Sequence, residues 1–348
     1  MDHNDGVEEE SPWDDPFQWE DPFEPGEYGW GSAPEGVESL FNIGQSNDGQ
    51  HYYVVRHRPA DEPFAPYHQL WIVDKNGENP RYITSQIYNA DWSMDNRELA
   101  VGLSLGISSY IVTLNLEENS YKQWTGQPDH PIFNKQSEVF PKWFANDEKI
   151  LFTVNTISYQ QEYDLGGYFL DIETGEFEGP VTDWRSSNMF GNHEQIIWGQ
   201  HADPENDIAM NMVRYDRTTG DWQWVTMYQL GAGNSTGGVL RTFSADPRSE
   251  RIAVNKHWDN SMQLFLYDGD NDPVQITTGG SGAVSWNHDS TELIFLRDIY
   301  GYGRTQYVPF RHNLETGQTE PLWPDLPGYL PEFPDLSTQD PIPVSIER

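Results

Sequence analysis

The sequence predicts an all-β fold: a six-bladed β-propeller of four-stranded antiparallel blades, with extended N- and C-terminal tails. Three observations carry that prediction. Short apolar runs of strand length alternate with Asn/Asp/Ser/Gly clusters, the pattern of half-buried strands joined by tight turns. One turn-and-strand phrase recurs six times along the chain. Its period of about 43–52 residues suits one four-stranded sheet per blade.

The clearest unit runs from Ile87 to Thr125. Ile87–Trp92 is its first strand, and Ser93–Asn96 is a polar turn. Leu99–Leu103 and the alternating Ser109–Leu116 follow, Glu117–Ser120 turns the chain again, and Tyr121–Thr125 closes the unit. The turn between first and second strands recurs at Ser46–Gln50, Ser93–Arg97, Ala145–Lys149, Gly191–Gln195, Ser244–Arg248 and Asn287–Thr291. Apolar strands follow each copy: Tyr52–Val55, Leu99–Val101, Ile150–Phe152, Ile196–Trp198, Ile252–Val254 and Leu293–Phe295. A third strand then runs into an acidic turn at Trp71–Gly77, Phe169–Gly175, Arg214–Gly220, Leu266–Asp270 and His312–Gly317. Most units end on a threonine: Thr84, Thr125, Thr182, Thr226 and Thr277.

On these turns the chain resembles the TolB-like family of six-bladed β-propellers. That family repeats a Trp-Ser-Pro-Asp-Gly-Lys turn, an Ile-Ala-Phe strand and a closing Leu-Thr. Trp92–Asn96 and Trp286–Ser290 are near copies of its turn, although no copy here has the family's Pro before its Asp. The resemblance covers about residues 37–323 and implies the fold. It leaves the activity open, because such propellers host many.

Composition agrees. With 14 Trp, 18 Tyr and 16 Phe, the 348 residues hold enough apolar area for a core although only 36% are hydrophobic. The absence of cysteine excludes disulfides, thiolate metal sites and a cysteine nucleophile. No run has the length of a transmembrane helix, and no apolar signal-peptide core opens the chain, so direct membrane insertion is not expected. Either the protein is cytoplasmic in a salt-adapted organism, or Met1 stands in place of a removed leader. The TolB-like resemblance and the lack of Cys point to an exported chain, periplasmic or lipid-anchored at the cell envelope.

Fifty-six acidic against twenty basic residues give a net charge of −36. A field of that sign repels phosphate backbones, so nucleic acid is excluded as a partner class. Two readings of the charge remain: solubility in high salt, as in halophilic proteins, or a docking surface for basic partners or divalent cations.

Residues 1–36 are different material. No Lys or Arg precedes Arg56, and a phrase repeats six residues apart, from Trp13 to Phe17 and from Trp19 to Phe23, each with Asp-Pro before its Phe. Proline fixes an extended backbone. The segment reads as an acidic linker, as a motif docked on this propeller, or as a motif docked on another protein. Residues 324–348 are also Pro-rich, and are expected to pack over the side of the ring or to help latch its first and last blades.

Because strands alternate in direction, the short Asp/Gly turns share one face of the ring. Longer loops and the blade-to-blade crossovers share the other. The long-loop face is expected to carry Arg58, His130, Tyr159, Tyr163, Trp184, Arg185, His201, Trp258, Tyr302 and Arg304, with His68 at an edge and His257 nearby. Aromatic-bearing loops on a rigid scaffold are where binding sites usually lie.

Apparent catalytic motifs do not survive their context. Gly233–Gly237 matches a nucleophile elbow, but it lies in a crossover between blades and lacks the strand–helix setting and a hydrolase domain. His193-Glu194 has Ile197 where a zincin needs its second His. Asp268, Asp270 and Asp272 alternate like the start of a calcium loop, but Pro273 stands where Gly is required, so a hairpin turn is the simpler reading and no cofactor is expected. His68, His130, His201 and His257 could in principle converge on a metal, as histidines do in propeller lyases acting on uronate sugars.

The sequence thus points to a non-enzymatic propeller that binds a protein or peptide, an accessory or scaffold subunit of an envelope assembly. The alternative is a carbohydrate-active propeller, glycan-binding or a metal-dependent lyase, using the long-loop face.

Overall fold

The computed structural model describes residues 39–57, 68–105, 108–126, 137–144, 147–155, 166–181, 189–191, 196–203, 206–226, 242–258, 261–268, 273–277, 280–298, 307–334 and 336–344. These residues form six four-stranded antiparallel blades and almost no helix. Blade 1 is β1 (Leu40–Gln45), β2 (His51–His57), β3 (His68–Asp74) and β4 (Arg81–Ser85). Blade 2 is β5 (Ile87–Trp92), β6 (Glu98–Leu105), β7 (Ser108–Asn115) and β8 (Ser120–Gln123). Blade 3 is β9 (Ser137–Phe144), β10 (Lys149–Asn155), β11 (Gly166–Asp171) and β12 (Phe177–Glu178). Blade 4 is β13 (Met189–Gly191), β14 (Ile196–Asp203), β15 (Asn206–Asp216) and β16 (Asp221–Thr226). Blade 5 is β17 (Thr242–Ala245), β18 (Arg251–Trp258), β19 (Ser261–Asp268) and β20 (Val274–Gln275). Blade 6 is β21 (Ser281–Trp286), β22 (Glu292–Asp298), β23 (Tyr307–Asn313) and β24 (Thr319–Pro321). The first strand of each blade touches the first strands of its neighbours, so these six line the central axis.

The core is a ring of layers between blades, because each sheet must cover both faces. Val55, Leu70 and Ile83 of blade 1 pack on Ala90, Leu99 and Val101 of blade 2. Ala100 and Ile111 of blade 2 meet Trp143 and Phe152 of blade 3. Phe144 and Phe169 meet Ile197 and Val213 of blade 4, and Trp198 meets Phe243 and Val254 of blade 5. The largest layer joins blade 6 to blade 1 through Leu40, Trp71, Phe295 and Phe310.

The repeated turn turns out to be an inter-blade staple. Ser46 and Ser93 donate their hydroxyls to Asp48 and Asp95 (2.7 and 2.8 Å) and accept the N–H that opens the next strand. The neighbouring blade then caps the turn: Asn47 N–H donates to Asn96 Oδ1 (2.6 Å), and Met94 N–H to Asp147 Oδ2 (2.7 Å). At the seam, His288 N–H donates to Gln45 Oε1 (3.0 Å). The tryptophans before the turn work the same way. Trp92 Nε1 donates to Gly44 O (3.3 Å) and Trp286 Nε1 to Ser244 O (2.8 Å), each on the preceding blade.

Two copies of the turn sit in a different register from the one their sequence suggests. The hairpin-closing bonds run from Ser46 to His51, Ser93 to Glu98, Asp246 to Arg251 and Asn287 to Glu292. Blade 5 therefore turns at Asp246–Glu250, two residues later than an alignment on its Asp. In blade 3, Phe144 pairs with Lys149, and Asp147 takes the positive φ that Asn96 has in blade 2. The turn there is Phe144–Glu148, one residue earlier. Backbone pairing and the left-handed residue fix the register, and different side chains can fill those places.

Two of the terminal threonines, Thr125 and Thr277, have a comparable backbone role. The fourth strand pulls away from the third, and the Thr hydroxyl takes the orphaned amide. Thr125 Oγ1 accepts from Ile111 N (2.9 Å) and Thr277 Oγ1 from Leu264 N (3.0 Å), both fully buried. Thr277→Val should therefore cost about 1–2 kcal/mol, because it strands a buried N–H while keeping the shape. A urea-melt midpoint unchanged from wild type would refute that role.

Among the described residues, ring closure uses no exchanged strand, since every blade is built from consecutive strands. The seam is clasped by the C-terminal chain. Trp323 follows β24, packs edge-on to Tyr52 at 5.7 Å and donates Nε1–H to Lys75 O (3.2 Å). It lies against Gly77, whose positive φ and lack of Cβ both matter: a Cβ there would sit 2.7 Å from the Trp323 ring. Phe333 then covers Trp71 (5.2 Å), and Ile342 N donates to Ile83 O (2.7 Å) along the outer edge of β4. The segment covers an edge that would otherwise present unpaired backbone groups.

Candidate functional site

The chain crosses from blade 1 to blade 2 in one residue, Gln86, at a positive φ. Its N–H donates to His68 O (2.7 Å) and its carbonyl accepts from Ser104 N (2.8 Å). This is the long-loop face, since β2 leaves and β3 returns there. The tight crossover brings the innermost strands of the two blades side by side, and both carry a bulge at the same place. β1 shifts register between Leu40 and Asn42, and β5 between Ile87 and Asn89. A bulged residue loses its ladder partner and its side chain is re-aimed. Leu40 and Ile87 are fully buried, but the next residues reach solvent: Phe41 is 38% exposed and Tyr88 42%.

These two rings and two histidines form one aromatic platform. Phe41 lies 4.7 Å from His68, 5.2 Å from His57 and 6.0 Å from Tyr88, measured between ring centres. His68 lies 4.3 Å from Tyr88 and 4.9 Å from His57. Edge-on and tilted contacts at these separations are the favoured aromatic geometry. Asn42 Nδ2 donates to Tyr88 O (3.3 Å), tying one bulge to the other. On the opposite face of the blade 1 sheet from His57 and His68, Arg56 donates to Gln69 Oε1 (3.3 Å), Trp71 Nε1 donates to the same oxygen (3.2 Å), and the Arg56 guanidinium stacks on Phe333.

Burial pushes His68 down to about 4, helped by the neighbouring His57, which burial also lowers. His68 is therefore neutral near pH 7. The platform offers π faces, a phenol and imidazoles, which suits stacking and hydrogen bonding.

The positions singled out in the sequence fare differently. Arg58, His130, Tyr159, Tyr163, Trp184, Arg185, Tyr302, Arg304, Asp270 and Asp272 lie outside the described residues, as do Trp13, Phe17, Trp19 and Phe23. So do Gly233–Gly237 and His193-Glu194. His201 and Trp258 are not in long loops. His201 lies within β14 paired with Asn211, and Trp258 ends β18 paired with Ser261. Both hairpins continue their ladders beyond the apolar stretch, because pairing needs only backbone groups. Asp268 is the exposed last residue of β19. His68 is on the long-loop face but buried against rings. Among the described residues, no cluster of three or more His, Asp or Glu side chains could hold a metal.

Phe41, His57 and Tyr88 were missed because each reads as an ordinary strand residue. A signal was present nonetheless: Leu40-Phe41 and Ile87-Tyr88 place an aromatic directly after the apolar residue that opens each of two first strands.

No protein-family model matches this chain, and no curated protein matches it. Solved structures do. TolB from Acinetobacter baumannii superposes with a TM-score of 0.61 at 14% identity, over 79% of this chain and 63% of that one. This chain thus spans less than two thirds of that TolB. A putative TolB from Agrobacterium tumefaciens gives 0.52 at 12% identity, over 73% and 87%. An oligogalacturonate lyase solved in complex with manganese gives 0.52 at 10%, over 82% and 77%. At such identities the likeness is one of fold: this chain has the six-bladed propeller found in TolB-like structures, as its turns suggest.

Proposed function

We propose that this propeller is a non-enzymatic binding protein that takes a protein or peptide partner on its long-loop face, as an accessory or scaffold subunit of a cell-envelope assembly. The observation that carries the reading is the Phe41–Tyr88–His57–His68 platform, where two solvent-reaching rings are held by bulges on a rigid scaffold. Aromatic anchors on a preorganised surface supply most of the energy in peptide recognition. The charge of −36 favours basic or neutral partners over nucleic acid. No helix among the described residues is long and apolar enough to cross a membrane. An exported location agrees with the TolB-like fold. No cofactor is required by the reading, so chelation with EDTA should leave binding and melting unchanged.

The same rings could stack on a sugar, which keeps a glycan-binding propeller as the second reading. Anisotropy titrations with Pro/aromatic peptides and with neutral oligosaccharides separate the two. Tyr88→Ala should weaken peptide binding at least about tenfold, the scale of a lost hot spot, with its melting temperature unchanged. Selective binding of oligosaccharides would move the function to the second reading.

A further inference from the structure

Resting on the reading of the platform as a binding surface, we infer that the repeats Trp13–Phe17 and Trp19–Phe23 dock on it intramolecularly, as a tethered ligand that an outside peptide must displace. The exit point of the chain is the first argument. The described residues begin at Ser39, whose carbonyl accepts from His57 N (2.9 Å) and whose hydroxyl accepts from Tyr307 N (3.2 Å). The preceding segment therefore joins the propeller at the platform's rim, two residues from Phe41.

Reach is the second argument. Fifteen residues separate Phe23 from Ser39. A flexible chain of that length spans about 20–25 Å on average, and about 50 Å fully extended. Tethering at such range gives effective concentrations of about millimolar, so a motif with only millimolar intrinsic affinity is half docked.

Chemistry is the third. Each repeat sets a Trp and a Phe around Asp-Pro, whose proline pre-pays backbone entropy and holds the strand extended. The platform presents rings to match. Like charge opposes the contact, since segment and propeller are both acidic, and that repulsion is screened within about 8 Å at physiological ionic strength. Self-docking should therefore strengthen with salt, whereas capture of a basic partner would weaken.

Hydrogen–deuterium exchange on the full chain tests this. Residues 13–23 should be protected, more so as NaCl rises from about 0.05 to about 0.5 M. Protection should vanish in the Phe41→Ser/Tyr88→Ala variant, while amides of Val54 and Val101 report that the blades stay folded. A second variant leaves the propeller untouched: Trp13→Ala/Phe17→Ala/Trp19→Ala/Phe23→Ala should bind an outside Pro/aromatic peptide about tenfold more tightly if the tail occupied the site nine-tenths of the time. Free exchange of residues 13–23 in the wild type, or protection that survives the platform variant, overturns the inference. If the outside peptide still binds Tyr88-dependently in that case, only self-docking has failed; if it does not, the binding-face reading fails with it.

Discussion

Trp323→Ala should cost about 3–5 kcal/mol of unfolding free energy, the range for emptying a buried tryptophan site. Trp323 is 2% exposed, and three contacts depend on it: the edge-on packing with Tyr52, the hydrogen bond to Lys75 O and the cover over Gly77. All three cross from the end of blade 6 to blade 1, where no strand is exchanged among the described residues. Its loss therefore acts on ring closure as well as on local packing. Urea denaturation followed by far-UV circular dichroism measures the change. Trp222→Ala is the control, since Trp222 is 49% exposed on the outer strand of blade 4 and should shift stability by no more than about 0.5 kcal/mol. A Trp323→Ala loss as small as that of Trp222→Ala would mean that the seam is held elsewhere.

Stability should also fall as pH drops from about 6.5 to about 4. His68 and His312 are both buried and both pushed down to about 4 by desolvation, His68 with help from His57. In that window the unfolded chain binds protons that the folded chain refuses, so unfolding is favoured as pH falls. Each histidine contributes at most about 3 kcal/mol. Below that window Asp48, Asp74, Asp246 and Asp289 add to the loss, because hydrogen bonds hold their carboxylates below the usual range. Glu98 and Asp147 oppose it, being raised by burial and by the charge of Asp95. Comparing wild type with His68→Phe/His312→Phe isolates the part due to His68 and His312. The wild type should lose more stability than the variant between pH 7 and 4.5, and parallel curves would contradict the assignment.

The Trp323 and histidine effects differ in how far the sequence announces them. Trp323 closes the last repeat and could be placed at the seam from blade counting, but not against Gly77, which lies some 250 residues earlier. His68 could be placed on the long-loop face. Its neutrality depends on Phe41, His57 and Tyr88, which arrive from three other strands.

What the chain determines by itself is what is local and periodic. Alternating apolar residues and polar turns repeat within each blade, most blades close on a threonine, and a sheet with two apolar faces has to be covered by the next. That fixes the strands, the six blades and the two faces of the ring. The register of the turns in blades 3 and 5, the extension of β14 and β18 through His201 and Trp258, and the clasp over β4 were decided by the folded structure. Backbone hydrogen bonds set these features, and they are nearly indifferent to which side chains satisfy them. The platform was decided there too: bulges in two separate strands bring Phe41 and Tyr88 together, and no spacing within either strand records that meeting.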